Sequence, residues 1–243
     1  MNILGIIPAR FASTRFPGKP LVDIAGKSMI QRVYEQAKKC NHLTEVIVAT
    51  DDIRIYDHVL NFGGAAIMTS VDHQSGTDRC AEVALEHPQY NVIINIQGDE
   101  PYIDPEQISK VASCFNNADT QLATLIKKVQ TEQELFNINS PKVVVNKLSE
   151  AVYFSRSPLP HIRGHEQKDW LNHFTYFKHI GIYGYRADVL QEITKLPVSS
   201  LEKAESLEQL RWIENGYHIK VAETKLETRA IDTPEDLANL KMG

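Results

Sequence analysis

The chain has 243 residues, of which 42% are hydrophobic, 23% charged and 8% aromatic, a composition that excludes a disordered linker or tail and allows a sizeable core without disulfides. Its 26 Lys and Arg against 31 Asp and Glu give a formal net charge of −5. With no global positive field, nucleic acid is not an expected partner, and any anionic small molecule has to be held by a local group of cations and backbone N–H donors.

Taken from the N-terminus, short apolar, β-branched runs at residues 2–7, 45–50, 65–68, 91–96 and 121–126 predict strands covered on both faces. Helical patterns lie between them. One runs from about Ser28 to Lys39, with Met29, Ile30, Val33 and Ala37 on one stripe. A second opens after Asp51 and Asp52, both good N-caps, and stops at Gly63-Gly64; a third starts at Asp104-Pro105, a cap followed by proline at the first helical position. Repeated β-α-β units imply a parallel sheet with helices on both sides, and sites in such folds gather at the carboxyl ends of the strands.

After residue 140 the pattern changes. Residues 142–147, 150–154 and 179–185 read as strands, and the connection 155–178 is long and rich in proline and histidine. Such a length is expected where a loop covers a site or binds a partner, or where it is disordered. Lys203 to Glu214 then predicts a helix closed by Gly216, residues 217–224 a strand, and Thr233-Pro234-Glu235-Asp236 the capped start of a final helix. The implied division is an α/β core over 1–140, a β-rich region over 141–200 and a return to the core over 201–243.

Cys40, Cys80 and Cys114 are odd in number and far apart, which fits neither a disulfide framework nor a paired-cysteine zinc site. The N-terminus lacks the basic start and long apolar run of a signal peptide, and no stretch approaches about 18 consecutive apolar residues. The expectation is a soluble protein of a reducing, cytoplasmic compartment with no membrane partner.

Four segments carry chemistry. The turn Pro8 to Pro20 sets Arg10, Arg15 and Lys19 among small residues at the end of the first strand, where they could wrap a polyphosphate or simply form a solvated basic loop. It is not a Walker loop: Gly26-Lys27-Ser28 mimics the end of one, but Leu21 stands where the earlier glycine is required. Gln97-Gly98-Asp99-Glu100-Pro101 places a carboxylate beside a glycine at a strand end, suited to Mg²⁺ or to capping a helix; Asp232 reads more simply as a helix cap. His73 to Arg79 leads into an apolar helix and could read a base or ribose, or only cap that helix. It holds no Gly-x-Ser-x-Gly elbow, so Ser75 is not a nucleophile. Downstream, Arg156, His179, Tyr183, Glu208 and Gln209 are of types that hold a carboxylate and sugar hydroxyls, although pattern alone assigns none of them. His161 and His165 flank Pro160 and Gly164, which argues against a helical metal site.

Together, IIPARFASTRFPGKPL (6–21), HQSGTDR (73–79), NIQGDEP (95–101), YFSR (153–156), HIGIYGYR (179–186), ESLEQLR (205–211) and IDTPEDL (231–237) make the chain resemble the 3-deoxy-manno-octulosonate (Kdo) cytidylyltransferase family from Ile6 to Leu237. The sialic-acid cytidylyltransferases are similar at the first loop, but SGTDR and SLEQLR favour the Kdo family.

The resemblance implies a Rossmann-like mixed sheet of the nucleotidyltransferase type with a smaller β-rich dimerisation region, in a homodimer. It implies CTP and Kdo as substrates, CMP-Kdo for lipopolysaccharide synthesis and pyrophosphate as products, and Mg²⁺ as cofactor. By the same resemblance Ala9, Arg10, Ser13 and Lys19 hold the triphosphate side of CTP, and Ser75, Gly76 and Arg79 lie near the nucleoside. Asp99 and Asp232 are metal carboxylates, and Arg10, Lys19, Asp99 and Asp232 form the catalytic set. Gln97, Arg156, His179, Tyr183, Glu208 and Gln209 make the sugar-acid pocket, with Arg156 on the Kdo carboxylate. The alternatives are another acidic sugar, such as sialic acid or an amino-substituted Kdo, and a catalytically silent binding protein.

Overall fold

A computed structural model describes residues 1–12, 16–228 and 230–241. Ser13 and Arg15 lie outside the described residues.

The elements follow in chain order. The first part carries β1 (Ile3–Ala9), the short pair β2 (Asp23–Ile24) and β3 (Lys27–Ser28), α1 (Met29–Ala37), β4 (Glu45–Thr50), α2 (Ile53–Asn61), β5 (Ala66–Met68), α3 (Gly76–Glu86), β6 (Val92–Asn95), α4 (Pro105–Cys114) and β7 (Leu122–Lys128). Then come α5 (Glu132–Phe136), β8 (Lys142–Val145), β9 (Ala151–Ser155), α6 (Trp170–His173), β10 (Phe177–Arg186), α7 (Ala187–Ile193), α8 (Ser200–Glu205), α9 (Gln209–Glu214), β11 (Ile219–Glu223) and α10 (Pro234–Lys241).

Among the described residues nine strands form one mixed sheet, whose main path runs β11-β7-β10-β6-β1-β4-β5, with β8 paired to β10 and β9. β1 runs parallel to both β4 and β6, and β4 parallel to β5, while β10 lies antiparallel between β6 and β7. The chain thus winds outward from β1 through β4 to β5, then returns through α3 to the other side of β1. That reversal opens a crevice beyond the carboxyl ends of β1 and β6.

Alternate residues of each strand feed two cores. Leu4, Ile6, Ile47 and Ile93 pack with Cys80, Val83, Leu190 and Trp212 from α3, α7 and α9 on one face. Ile3, Ile7, Val48 and Ile94 pack with Val33, Val59, Ile108 and Val111 from α1, α2 and α4 on the other. Each such side chain fully removed from water is worth about 1.5–3 kcal/mol, which is why the apolar runs read from sequence settle in the middle of a three-layer sandwich. All three cysteines are free, Cys40 and Cys80 within these cores.

Several local expectations change. The single helix expected over 203–214 is two, α8 and α9, because Ser206 adopts a left-handed conformation with φ of 51° between them. Gly26-Lys27-Ser28 belongs to the β2–β3 hairpin, whose corner is made by Ala25 (φ 49°) and Gly26 (φ 82°). The connection 155–178 holds α6 and a small core of its own, in which Trp170 and Tyr176 meet Val129 and Leu135. Asp52 caps α2 by accepting from the Arg54 N–H, whereas Asp51 pairs with Arg79. No helix among the described residues is long and apolar enough to cross a membrane.

Candidate active site

The crevice at the reversal is a cleft of about 360 Å³ lined by Pro8, Ala9 and Arg10 after β1, Asn95, Gln97, Gly98 and Asp99 after β6, residues 73–77 and Arg79 around the start of α3, and Lys19, Pro20, Tyr183, Glu208 and Asp232. The β1 and β6 ends come together because Gly98 has no side chain: a Cβ there would sit 2.8 Å from the Pro8 carbonyl oxygen.

Lys19 is the centre of the charge pattern. It opens a single 3-10 turn, Lys19–Leu21, whose cap Gly18 is left-handed (φ 71°) and donates its N–H to Phe11 at 2.9 Å, closing the base of the first loop. The Phe11 ring is held in turn by the Arg54 guanidinium, 3.3 Å from its centroid. From this anchored base the Lys19 ammonium donates to Asp99 Oδ2 at 2.9 Å and to Asp232 Oδ1 at 3.2 Å. The two carboxylates, far apart in sequence, therefore converge on one ammonium. Asp232 is also fixed by backbone, its N–H donating to the Asp236 carboxylate that caps α10. Among the described residues no three His, Cys, Asp or Glu side chains form a group able to hold a metal alone. Two carboxylates facing a cleft are, by their chemistry, a donor set that would fit Mg²⁺, an ion that takes one or two carboxylates and fills its shell with phosphate oxygens and water.

The opposite wall is set by α3. Ser75 caps it in a reciprocal capping box with Asp78, leaving the first N–H groups of the helix at the cleft. The Thr77 hydroxyl donates to Glu208 Oε2 at 2.9 Å, fixing that carboxylate at the start of α9. Burial pushes the Glu208 carboxyl up, and the Thr77 hydrogen bond opposes the shift. Tyr183 stands opposite Asn95 in the β10–β6 register, and both line the cleft. The Tyr183 hydroxyl and Asn95 Oδ1 are buried with no hydrogen-bond partner among the described residues.

The site residues expected from sequence fall into two groups. Ala9, Arg10, Lys19, Ser75, Gly76, Arg79, Gln97, Asp99, Tyr183, Glu208 and Asp232 meet at the cleft. Arg79 does so while its guanidinium is buried and paired with Asp51 at 2.8 Å and with Thr69. Arg156, His179 and Gln209 stand behind it. The Arg156 guanidinium donates to the carbonyls of Glu205 (2.6 Å), Ile138 (3.0 Å) and Ser206 (3.2 Å). His179 lies against Tyr183 with ring centroids 5.2 Å apart, and Gln209 is buried next to Glu208. Asn95 and Thr77 are cleft residues that the sequence reading did not single out. The available signal was a lone amide interrupting the apolar run 92–96.

A cytidylyltransferase family model matches residues 4–224. The 3-deoxy-manno-octulosonate cytidylyltransferase of Parabacteroides distasonis is 61% identical over 242 residues, spanning 98% of this chain and 96% of that protein. Its counterpart from Cytophaga hutchinsonii is 57% identical over 240 residues, spanning 98% and 95%. A solved CMP:2-keto-3-deoxy-manno-octonic acid synthetase complexed with CTP superimposes with a TM-score of 0.92 at 43% identity, covering 100% of this chain and 98% of that one. A cytidylyltransferase from Leptospira borgpetersenii, at 16% identity and a TM-score of 0.65 over 99% of this chain and 85% of its own, shares the fold. The sheet is thus the mixed nucleotidyltransferase sheet, and with identity this high over nearly the whole length, the chain belongs to the 3-deoxy-manno-octulosonate cytidylyltransferase family.

Proposed function

We propose that this protein transfers CMP from CTP to Kdo, releasing pyrophosphate, and that it does so as a Mg²⁺-dependent cytoplasmic homodimer supplying CMP-Kdo for lipopolysaccharide synthesis. The observation that carries the reading is the sharing of Lys19 by Asp99 and Asp232 in the lining of a cleft of about 360 Å³.

The anomeric hydroxyl of Kdo attacks the α-phosphorus of CTP and pyrophosphate leaves, so no enzyme nucleophile is needed. Mg²⁺ held by Asp99 and Asp232 would neutralise phosphate charge and make that hydroxyl easier to deprotonate. Arg10 and Lys19 bind the β- and γ-phosphates and stabilise the charge that grows on the leaving group. The start of α3, at Ser75 and Gly76, holds the nucleotide side. Gln97, Tyr183 and Glu208 orient the sugar hydroxyls, with His179 and Gln209 supporting Tyr183 and Glu208 from behind. The Tyr183 hydroxyl gains from a sugar the partner it lacks within the protein. Arg156 is the proposed partner of the sugar carboxylate, in exchange for one of its carbonyl contacts.

Pyrophosphate release with CTP, with Mg²⁺ or a chelator, and with Kdo, amino-substituted Kdo or sialic acid in turn tests the reading. Release with Kdo and Mg²⁺ is expected. Preference for another sugar overturns the substrate, activity in chelator overturns the metal, and silence with every sugar leaves a binding protein. Light scattering should give about twice the chain mass of 27.5 kDa; a monomer overturns the dimer.

A further inference from the structure

The Lys19 ammonium occupies the space between the two carboxylates proposed to hold the divalent ion. It is 2.9 Å from Asp99 Oδ2 and 3.2 Å from Asp232 Oδ1, whereas Mg²⁺ binds carboxylate oxygens at about 2.0–2.1 Å. Ammonium and metal cannot both lie between the same two oxygens. The contact is partly shielded, with the side chains of Lys19, Asp99 and Asp232 15%, 24% and 37% exposed, so an entering anion can compete for the ammonium. That anion is within reach, because Lys19 lines the cleft beside Arg10. A triphosphate entering there offers the ammonium a stronger partner and draws it away from both carboxylates at the moment its own oxygens arrive to complete a metal shell.

We propose that Lys19 sets the order of binding: in the nucleotide-free protein it is the counter-ion of Asp99 and Asp232 and keeps divalent metal out, and nucleotide phosphate lifts it away so that metal enters with, or after, CTP. With Lys19 in place its charge offsets that of one carboxylate; with Lys19 on phosphate that offset is gone, and the triphosphate adds its own negative charge. This rests on the metal reading proposed above, and its test is read without turnover.

Mn²⁺ is titrated into wild type and Lys19→Met by electron paramagnetic resonance, with no nucleotide and then with a non-hydrolysable CTP analogue. Methionine keeps the stem and removes the charge. Without nucleotide, Lys19→Met is expected to bind Mn²⁺ at least tenfold more tightly than wild type, and with the analogue the gap should close or reverse. Adding Asp99→Asn to Lys19→Met should abolish the gain. Lys19→Gln is the second variant, and thermal melting checks each fold; metal alone should raise the melting temperature of the lysine variants and not that of wild type. Equal Mn²⁺ affinity of wild type and folded variants without nucleotide, alongside normal binding in the analogue complex, overturns the proposal and leaves the metal site standing. Absence of Mn²⁺ binding in every state overturns both.

Discussion

The main-chain N–H of Ile231 donates to the carbonyl of Asp99 at 2.9 Å, so the two aspartates that share Lys19 are tied through backbone as well as side chains. The segment before α10 is thereby carried back to the end of β6, and the two carboxylates converge without relying on flexible side chains to find each other. Positioning of this kind keeps geometry separate from charge. Asp99→Asn should retain the fold, with stability within about 1 kcal/mol of wild type because the pair it loses is partly solvated. Its turnover should fall about a hundredfold or more, since an amide cannot balance a divalent ion. Pyrophosphate release and thermal melting on the same preparation check both halves; near-normal turnover contradicts the metal role.

Arg79 has two possible parts, nucleotide contact and internal strut, and the geometry weights the second. Its guanidinium is buried and paired with Asp51, which is itself 18% exposed, and with Thr69. Removing one member of a buried pair leaves the other desolvated, at a cost of about 3 kcal/mol. Arg79→Met should therefore lower the urea midpoint strongly. A variant as stable as wild type, with only its KM for CTP raised, would make Arg79 a ligand first.

The alternation of apolar runs with capped helices was enough to read the β1-α1-β4-α2-β5 winding, because each of those signals is local. Ser206 defeated the same method: its left-handed turn splits one periodic stretch into two helices, and no residue type there demands it. The cleft was legible in part. Lys19 and Asp99 stand in loops that follow strand ends, where chemistry is expected; Asp232 reads from pattern alone as a cap and becomes a metal carboxylate only through the family resemblance, and the Ile231 bond is what carries it beside Asp99. Arg156 shows the converse. Its identity suggested a carboxylate grip, while three backbone carbonyls, decided by how residues 138, 205 and 206 pack, hold it behind the cleft.

Gly98 marks the closest approach of the two strands that frame the cleft. A Cβ there would lie 2.8 Å from the Pro8 carbonyl oxygen, which cannot yield without moving β1, while the Ile7 side chain at 3.5 Å is an ordinary contact. Gly98→Ala should cost about 1–3 kcal/mol as overpacking and should lower turnover at least tenfold by displacing Gln97 and Asp99. Gly76→Ala is the control, since its Cβ meets Pro8 at an ordinary 3.4 Å; that variant should keep its stability. Equal melting temperatures for the two would contradict the close approach.

Burial pushes the His179 imidazole down to about 3. The Thr124 hydroxyl donates toward the carbonyls of Ile180 and Ile182, so its oxygen accepts from His179 Nε2–H at 2.9 Å, a bond that the neutral ring can make. The unfolded chain, with a histidine pKa near 6.5, takes up a proton at pH values where the folded chain does not. Stability is thus fully present above about pH 6.5 and is lost as pH falls from there toward about 3, at up to about 1.4 kcal/mol per pH unit. His179→Phe removes this dependence and keeps a ring against Phe154 and Tyr183. Urea unfolding from pH 7.5 to 5 should therefore show wild type losing ground to the variant as pH falls, with the carboxylates common to both proteins cancelling in the difference. Parallel curves would mean that the ring takes up a proton in the folded protein, contrary to its burial behind Tyr183.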